Sequence, residues 1–240
     1  MGLFPFSNPL QIELEKNIHF QVDAAEVIDR IGPLLTDHRL ELIDQITKKR
    51  NFSTAVVLEG IYDRGNISAV MRTAEAMGFV NFHVIETQEK FKEANRVTQG
   101  ADKWVEVKKW KKTADCISEL KKNNVKIYTT SLDAQMTISD IDWSQPSALV
   151  LGNEKDGVSR EMMDLSDGLF KIPMNGFVQS FNISVAAAVS LYHIKLALGE
   201  NFSQLSGEER ELLKAIYILR TQDSAGKILH LDYQNSLAKN

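Results

Sequence analysis

Three polar, glycine-marked stretches hold the side chains best suited to chemistry. In YDRGNISAVMRTAEAMGF (62–79), Asn66 and Arg72 bring an amide and a guanidinium, a planar fork that grips phosphate in bidentate fashion. In LVLGNEKDGVS (149–159), Asn153, Glu154, Lys155 and Asp156 follow Gly152, so charged groups lie where the backbone can approach a ligand closely. In KIPMNGFVQSFNISVAAAVSLYH (171–193), Gln179, Ser180 and Asn182 crowd the entry to a helix of small residues, just after an Asn175–Gly176 turn. Each stretch also has a plain alternative. Arg72 would be a surface residue beside Glu75 or Ser68, Ser159 an N-cap after an ordinary strand-to-helix turn, and Ser180 or Asn182 an N-cap ahead of good helix formers. Three such turns, each following a buried strand of one domain, argue instead for a shared pocket. The spacing is not that of a P-loop, and no GxGxxG supports a dinucleotide site.

The elements that must position these residues follow from the patterning. STAVVLEGI (53–61) is β-branched and nearly all apolar, as befits a strand buried on both faces of a parallel sheet. Further strands are expected at 81–86, 104–110, 125–132, 148–152 and 170–174, with helices at 67–77, 114–123 and 159–166. The last strand feeds the small-residue helix, which stops at Gly199. This alternation predicts an α/β fold with a mostly parallel sheet. Ligands of such sheets bind beyond the carboxyl ends of the strands, which puts the first stretch at the ligand edge. In helix 67–77, Asn66 is the expected N-cap, Ile67, Val70, Met71 and Ala74 the buried stripe, and Gly78 the stop.

Residues 1–22 read as an irregular lead, with Pro5 and Pro9 discouraging helix. Asp23 with Glu26 resembles a capping box, Thr36 caps a second helix, and Ser206 with Glu209 forms another box ahead of Leu212, Leu213, Ile216 and Leu219. The expected organisation is an N-terminal helical extension at 1–50, a core domain at 51–199, and a C-terminal helical extension at 200–240.

The chain has 240 residues, a net charge of −4, 43% hydrophobic and 25% charged residues, values ordinary for a globular protein with ample core. Global charge gives no sign of a nucleic-acid partner, so local clusters matter. Lys103, Lys108, Lys109, Lys111 and Lys112, interleaved with Trp104 and Trp110, form the densest basic run and would bind phosphate in a salt-dependent way. Lys48, Lys49 and Arg50, and Arg210 and Arg220, are further candidates for RNA contact. The plain alternative for the lysine run is a solvated strand edge. Cys116, the one cysteine, excludes an internal disulfide and a cysteine-cluster metal site. No apolar run approaches the roughly 20 residues of a membrane span, and the start is not patterned as a secretory signal. The expectation is a cytoplasmic protein that needs neither membrane nor metal.

The ordered set N-x5-R-T-A-x-A-x-G (66–78), L-G-N-E-x-x-G (151–157) and I-P-M…V-Q-S-x-N-x-S (172–184) resembles the SpoU branch of the SPOUT methyltransferases. Within it, the chain is most similar to the TrmH-type enzymes that methylate the 2′-hydroxyl of guanosine 18 in tRNA. The likeness covers about 51–199 and extends weakly into the flanks. It implies an α/β fold with a C-terminal deep trefoil knot, S-adenosylmethionine (AdoMet) as methyl donor, tRNA as substrate, and a homodimer formed through the knotted domain. The second and third motifs would form the knot and cradle AdoMet.

Carried over position by position, the resemblance makes Arg72 the catalytic residue, with Asn66, Glu154, Ser180 and Asn182 beside it in the pocket. Arginine keeps its proton at ordinary pH, so holding phosphate and stabilising a developing alkoxide suits it better than simple base catalysis. Glu154 is placed to orient Arg72 or to take the proton. AdoMet contacts fall on Thr130, Leu151, Gly152, Ile172, Met174 and Phe181. Phe181 stands where the family usually has Leu, and Arg64–Gly65 where it usually has Pro-His. The competing readings are methylation of ribosomal RNA, an RNA-binding protein of the same fold without catalysis, and a small-molecule AdoMet enzyme.

Overall fold

A computed structural model describes residues 3–15, 18–86, 101–153 and 155–237. The chain forms two compact units. One comprises Asn51–Gln204 with Leu3; the other comprises Phe4–Arg50 with Leu205–Asn240.

The second unit begins with a two-stranded antiparallel ribbon, β1 (Leu10–Glu15) and β2 (Ile18–Val22). This replaces the irregular lead expected there, because Leu10, Ile12 and Leu14 alternate with Gln11 and Glu13 at the period of a half-buried strand. Two helices follow, α1 (Ala24–Ile31) and α2 (Asp37–Thr47), separated by a 3-10 turn at Gly32–Leu34 that carries Pro33. Asp23 stands at the N-cap of α1, but its side chain makes no capping bond. The expected Asp23–Glu26 box therefore does not form, and the orphan N–H of Ala24 donates to Asn8 Oδ1 at 2.9 Å. Thr36 does cap α2. The later segment of this unit supplies α7 (Gly207–Thr221) and α8 (Ala225–Leu237), and α7 opens with the reciprocal Ser206–Glu209 capping box. Val27, Ile31, Leu213 and Ile218 are buried where α1 packs against α7.

The first unit is a seven-stranded sheet in the order β5-β4-β3-β8-β6-β9-β7, every pairing parallel. The strands are β3 (Asn51–Glu59), β4 (Phe79–Ile85), β5 (Glu106–Trp110), β6 (Lys126–Thr130), β7 (Met136–Thr137), β8 (Ser147–Leu151) and β9 (Gly168–Lys171). The helices are α3 (Arg64–Met77), α4 (Thr113–Lys122), α5 (Arg160–Leu165) and α6 (Ile183–Leu198). β3 and β8 are apolar along both faces because both faces are covered. Ala55, Val57, Ile127, Ala148 and Val150 meet Ile117, Leu120 and Met162 of α4 and α5. Alternation sends Val56, Leu58, Leu149 and Leu151 to the other face, where α3 packs against α6 and α6 reaches β8.

Helix α3 buries Ile67, Val70, Met71 and Ala74, the stripe the spacing predicts, and ends at Gly78 in a left-handed conformation (φ 100°). Its N-cap is Asp63, three residues before the expected Asn66, because the Asp63 side chain accepts the Gly65 N–H at 2.7 Å. Asn66 therefore sits in the first turn of the helix. With the 3-10 turn after it, α6 is a 20-residue stretch, Ile183–Phe202, long and apolar enough by composition to cross a membrane. The sequence pattern gave no such run, since Ser184, Ser190 and Lys195 interrupt it. The burial of Ala187, Leu191 and Ile194 and the packing of α6 on α3 make it a domain helix.

Candidate active site

The parallel strands end together on one edge, and the loops there enclose a cleft of about 350 Å³. Its floor is strand ends, Thr130 of β6 and Leu151 of β8, with Phe170 and Lys171 of β9. One wall is the loop after β8 (Gly152, Asn153 and residues 155–158), and the other is Ile172, Met174, Ser180 and Phe181 with Ile183 and Ala186 of α6. A volume of this size, lined by apolar side chains with several polar groups converging among them, is usual for a small-molecule site.

The loop after β8 folds back on itself. Asn153 and Gly157 exchange backbone hydrogen bonds at 2.9 and 2.8 Å, and Asn153 Oδ1 accepts from the Lys155 N–H at 2.7 Å. Gly152 is required by this fold, since a Cβ there would lie 2.3–2.4 Å from the backbone of Gly157 and Val158. The close approach expected of Gly152 is thus made by the protein's own loop. Thr130 is fixed by its hydroxyl donating to Val150 O at 3.1 Å.

Of the residues expected to touch a cofactor, Thr130, Leu151, Gly152, Ile172, Met174 and Phe181 all line this one cleft, and Ser180 joins them. Ser131, Leu132 and Asp133 line it too and were missed. They follow β6, so the rule that ligands sit beyond strand ends was the signal that points to them. Asp156 adds a second carboxylate to the wall.

The remaining site residues divide differently. Asn182 acts as the N-cap of α6, its Oδ1 accepting from Ser184 N at 2.9 Å and Ser184 Oγ at 2.6 Å. Asn66 is half-buried in the first turn of α3; Arg72 is exposed on the same helix, and neither lines the cleft. Glu154 lies outside the described residues. Beside α3, helix α6 presents an apolar stripe to solvent, Val185, Val189, Tyr192 and Leu196, with Tyr192 56% and Leu196 63% exposed.

Among the candidate RNA contacts, Lys103, Lys108, Lys109, Lys111 and Lys112 are exposed on and around the edge strand β5. Lys108 approaches Glu119 at 4.0 Å, and Lys103 stacks over Trp104. Beneath this edge, His83 of β4 is buried and stacked on Trp110, whose Nε1 donates to His83 Nδ1 at 3.0 Å. Burial, then the charge of Lys108, pushes the His83 pKa down to about 4. Burial, then Glu59, pushes the neighbouring Cys116 thiol up to about 12, so it stays protonated and unreactive. In the other unit, Lys48 pairs with Asp44, whose carboxyl it holds below the usual range. Lys49 and Arg210 are exposed, and Arg220 lies over the Phe6 ring. Arg50 departs from the expectation. It is 4% exposed, its Nε donates to Tyr217 Oη at 3.1 Å, and the guanidinium lies over that ring, so it anchors the unit instead of facing phosphate.

The fold and this cleft define an α/β protein with a ligand site at a parallel-sheet edge, and comparison gives that class a family. Residues 53–192 match the SpoU rRNA Methylase family, and the chain belongs to it. The tRNA (guanosine(18)-2′-O)-methyltransferase of Borreliella burgdorferi is 34% identical over 177 residues, 72% of this chain and 81% of that protein. The crystal structure of the A. aeolicus TrmH/SpoU tRNA modifying enzyme matches with a TM-score of 0.68 at 30% identity, covering 75% of this chain and 96% of that one. The structure of an AdoMet-bound rRNA methyltransferase from Sinorhizobium meliloti matches with a TM-score of 0.56 at 26% identity, covering 65% of this chain and 60% of that one.

Proposed function

We propose that this chain is an AdoMet-dependent 2′-O-methyltransferase that acts on tRNA, with guanosine 18 as its target and the cytoplasm as its place of work. The observation that carries the reading is the convergence of all six expected cofactor residues on one cleft. The similarity to tRNA (guanosine(18)-2′-O)-methyltransferases over most of their length supports the substrate.

The cleft fits the cofactor's chemistry. Ile172, Met174 and Phe181 offer apolar surface to the flat faces of a purine, and strand-end backbone groups suit its polar edge. The carboxylates of Asp133 and Asp156 suit a ligand that carries positive charge on sulfur and nitrogen. When bound, AdoMet supplies an activated methyl group. The residues around it then have to present a ribose oxygen in line with that methyl, and orientation of this kind is worth up to ~7–11 kcal/mol in the best cases. Arg72 grips the phosphate beside the target ribose and offsets negative charge on the oxygen as its proton passes to Glu154, directly or through water. Asn66, one helix turn and more before it, positions the same ribose or the guanidinium.

Arg72 and Asn66 lie outside the cleft of their own chain, which supports a homodimer in which the α6 stripe and the α3 face beside it meet a second copy. The knotted path belongs to the same reading. Its support is the sheet order, in which β9 is inserted between β6 and β7, two strands that precede it in the chain.

The test is methyl transfer from labelled AdoMet to unmodified tRNA and ribosomal RNA transcripts, with the modified ribose mapped. Label at guanosine 18 of tRNA is the expected result. Label confined to ribosomal RNA would keep the chemistry and overturn the substrate, and no transfer with no AdoMet binding would favour an RNA-binding protein without catalysis.

A further inference from the structure

The one carboxylate buried at the ligand edge among the described residues is Glu59, the last residue of β3, and it is 2% exposed. Burying a carboxylate is costly unless donors surround it. Here three do: Thr113 Oγ1 at 2.6 Å, Ser159 N at 2.7 Å and Ser159 Oγ at 2.8 Å. Thr113 begins α4, away from the cleft, whereas Ser159 follows the loop that forms a cleft wall and caps α5 through Met162 N at 3.0 Å. The residue after Glu59 holds the other end of that loop, because Gly60 O accepts from Asn153 Nδ2 at 3.1 Å. The end of the interior strand β3 therefore grips the loop at both ends, and a few residues later the same strand end starts α3, which carries Asn66 and Arg72.

We infer that Glu59 is a positioning residue for the cofactor loop, which it locks to the strand end that also sets the place of α3. This inference rests on the reading of the cleft as the AdoMet site. Glu59 touches neither cofactor nor RNA. It acts through Ser159, whose two bonds to a charged acceptor fix where the wall formed by 155–158 stands. Bonds to a charged group are stronger than neutral ones, so an isosteric amide would hold the loop less tightly.

The experiment is calorimetric titration of AdoMet into the wild-type chain and into Glu59→Gln, Ser159→Gly and Thr113→Val, with thermal unfolding of each. Glu59→Gln is expected to raise the AdoMet Kd about tenfold, the equivalent of one charge-assisted hydrogen bond. Ser159→Gly keeps an acceptable N-cap residue while removing the hydroxyl bond to Glu59, and is expected to raise Kd by roughly threefold to tenfold. It carries the test should Glu59→Gln fail to fold. Thr113→Val removes a bond to the same carboxylate on the side away from the loop, so Tm falls while Kd stays at the wild-type value. A wild-type Kd in Glu59→Gln, or in Ser159→Gly where Glu59→Gln does not fold, would overturn the inference. So would an equal rise in Kd for Thr113→Val, which would mean a general scaffold effect. A wild-type chain that binds no AdoMet would overturn the functional reading and this role together.

Discussion

The two halves of the candidate site are built in opposite ways. The half proposed to hold the cofactor rests on buried strand ends and on a loop closed by its own backbone bonds, tied to Glu59 and Gly60 at the end of β3 through Ser159 and Asn153. The half proposed to meet RNA is a set of exposed side chains, Arg72 on α3 and lysines along β5 at the sheet edge. A small rigid ligand rewards a preformed site, since little order has to be created on binding. A large polyanion is held by many separate charges that need reach more than precision. The contrast predicts that damage to one half leaves the other's binding intact.

The sharpest separation is expected from Arg72→Ala. Loss of a group aimed at developing charge lowers kcat by about 10³-fold, while removal of an exposed side chain outside the cleft leaves Tm unchanged. Single-turnover methyl transfer checks the first and thermal unfolding the second.

Next in size is an effect on the scaffold beneath the lysine edge. His83 has a pKa of about 4 when folded, against 6.5 for the free side chain. The unfolded chain therefore binds the extra proton between these values, and stability falls as pH drops from 6.5 toward 4 while this group contributes no change above 6.5. The full loss is roughly 3 kcal/mol. Urea unfolding across that window should show it, and His83→Gln should flatten that part of the profile.

Gly152→Ala attacks the cofactor half. Its methyl group would meet loop backbone at 2.3–2.4 Å, so the wall must move. Overpacking of about 1–3 kcal/mol corresponds to an AdoMet Kd raised roughly 5- to 150-fold, measured by calorimetry. Affinity for tRNA should hardly change. The smallest effect is the mirror image. Lys108→Ala with Lys109→Ala should weaken tRNA binding by about tenfold at moderate salt and reduce the slope of log K against log salt by roughly 2, with AdoMet binding untouched. Filter binding over a salt series measures both.

The same contrast decides what the sequence could show. Buried strands such as STAVVLE and ALVLG are read directly from runs of apolar residues, and the stripe of α3 from its spacing, because burial constrains residue type at every position. That Thr130, Leu151, Gly152, Ile172, Met174 and Phe181 share one cleft was reached through the family motifs, which fall on strand ends and glycine turns. The ribbon at β1–β2 was overlooked beside Pro5 and Pro9, although the alternation in LQIELE displays it. Other features lay beyond any local pattern. Glu59 reads as the polar end of a strand until Thr113 and Ser159, 54 and 100 residues away, are seen to donate to it. Arg50 reads as part of a basic cluster until Tyr217, 167 residues on, is found to hold it. Charged side chains are ambiguous in a sequence because the same group serves solvent, ligand or a distant partner.

The most direct test of the division is a titration of AdoMet, without RNA, into the wild-type chain and into Arg72→Ala. The account predicts the same Kd for both, with methyl transfer lost only in the variant. An AdoMet Kd raised tenfold or more in Arg72→Ala, where one hydrogen bond to a charged group is worth about that factor, would contradict it.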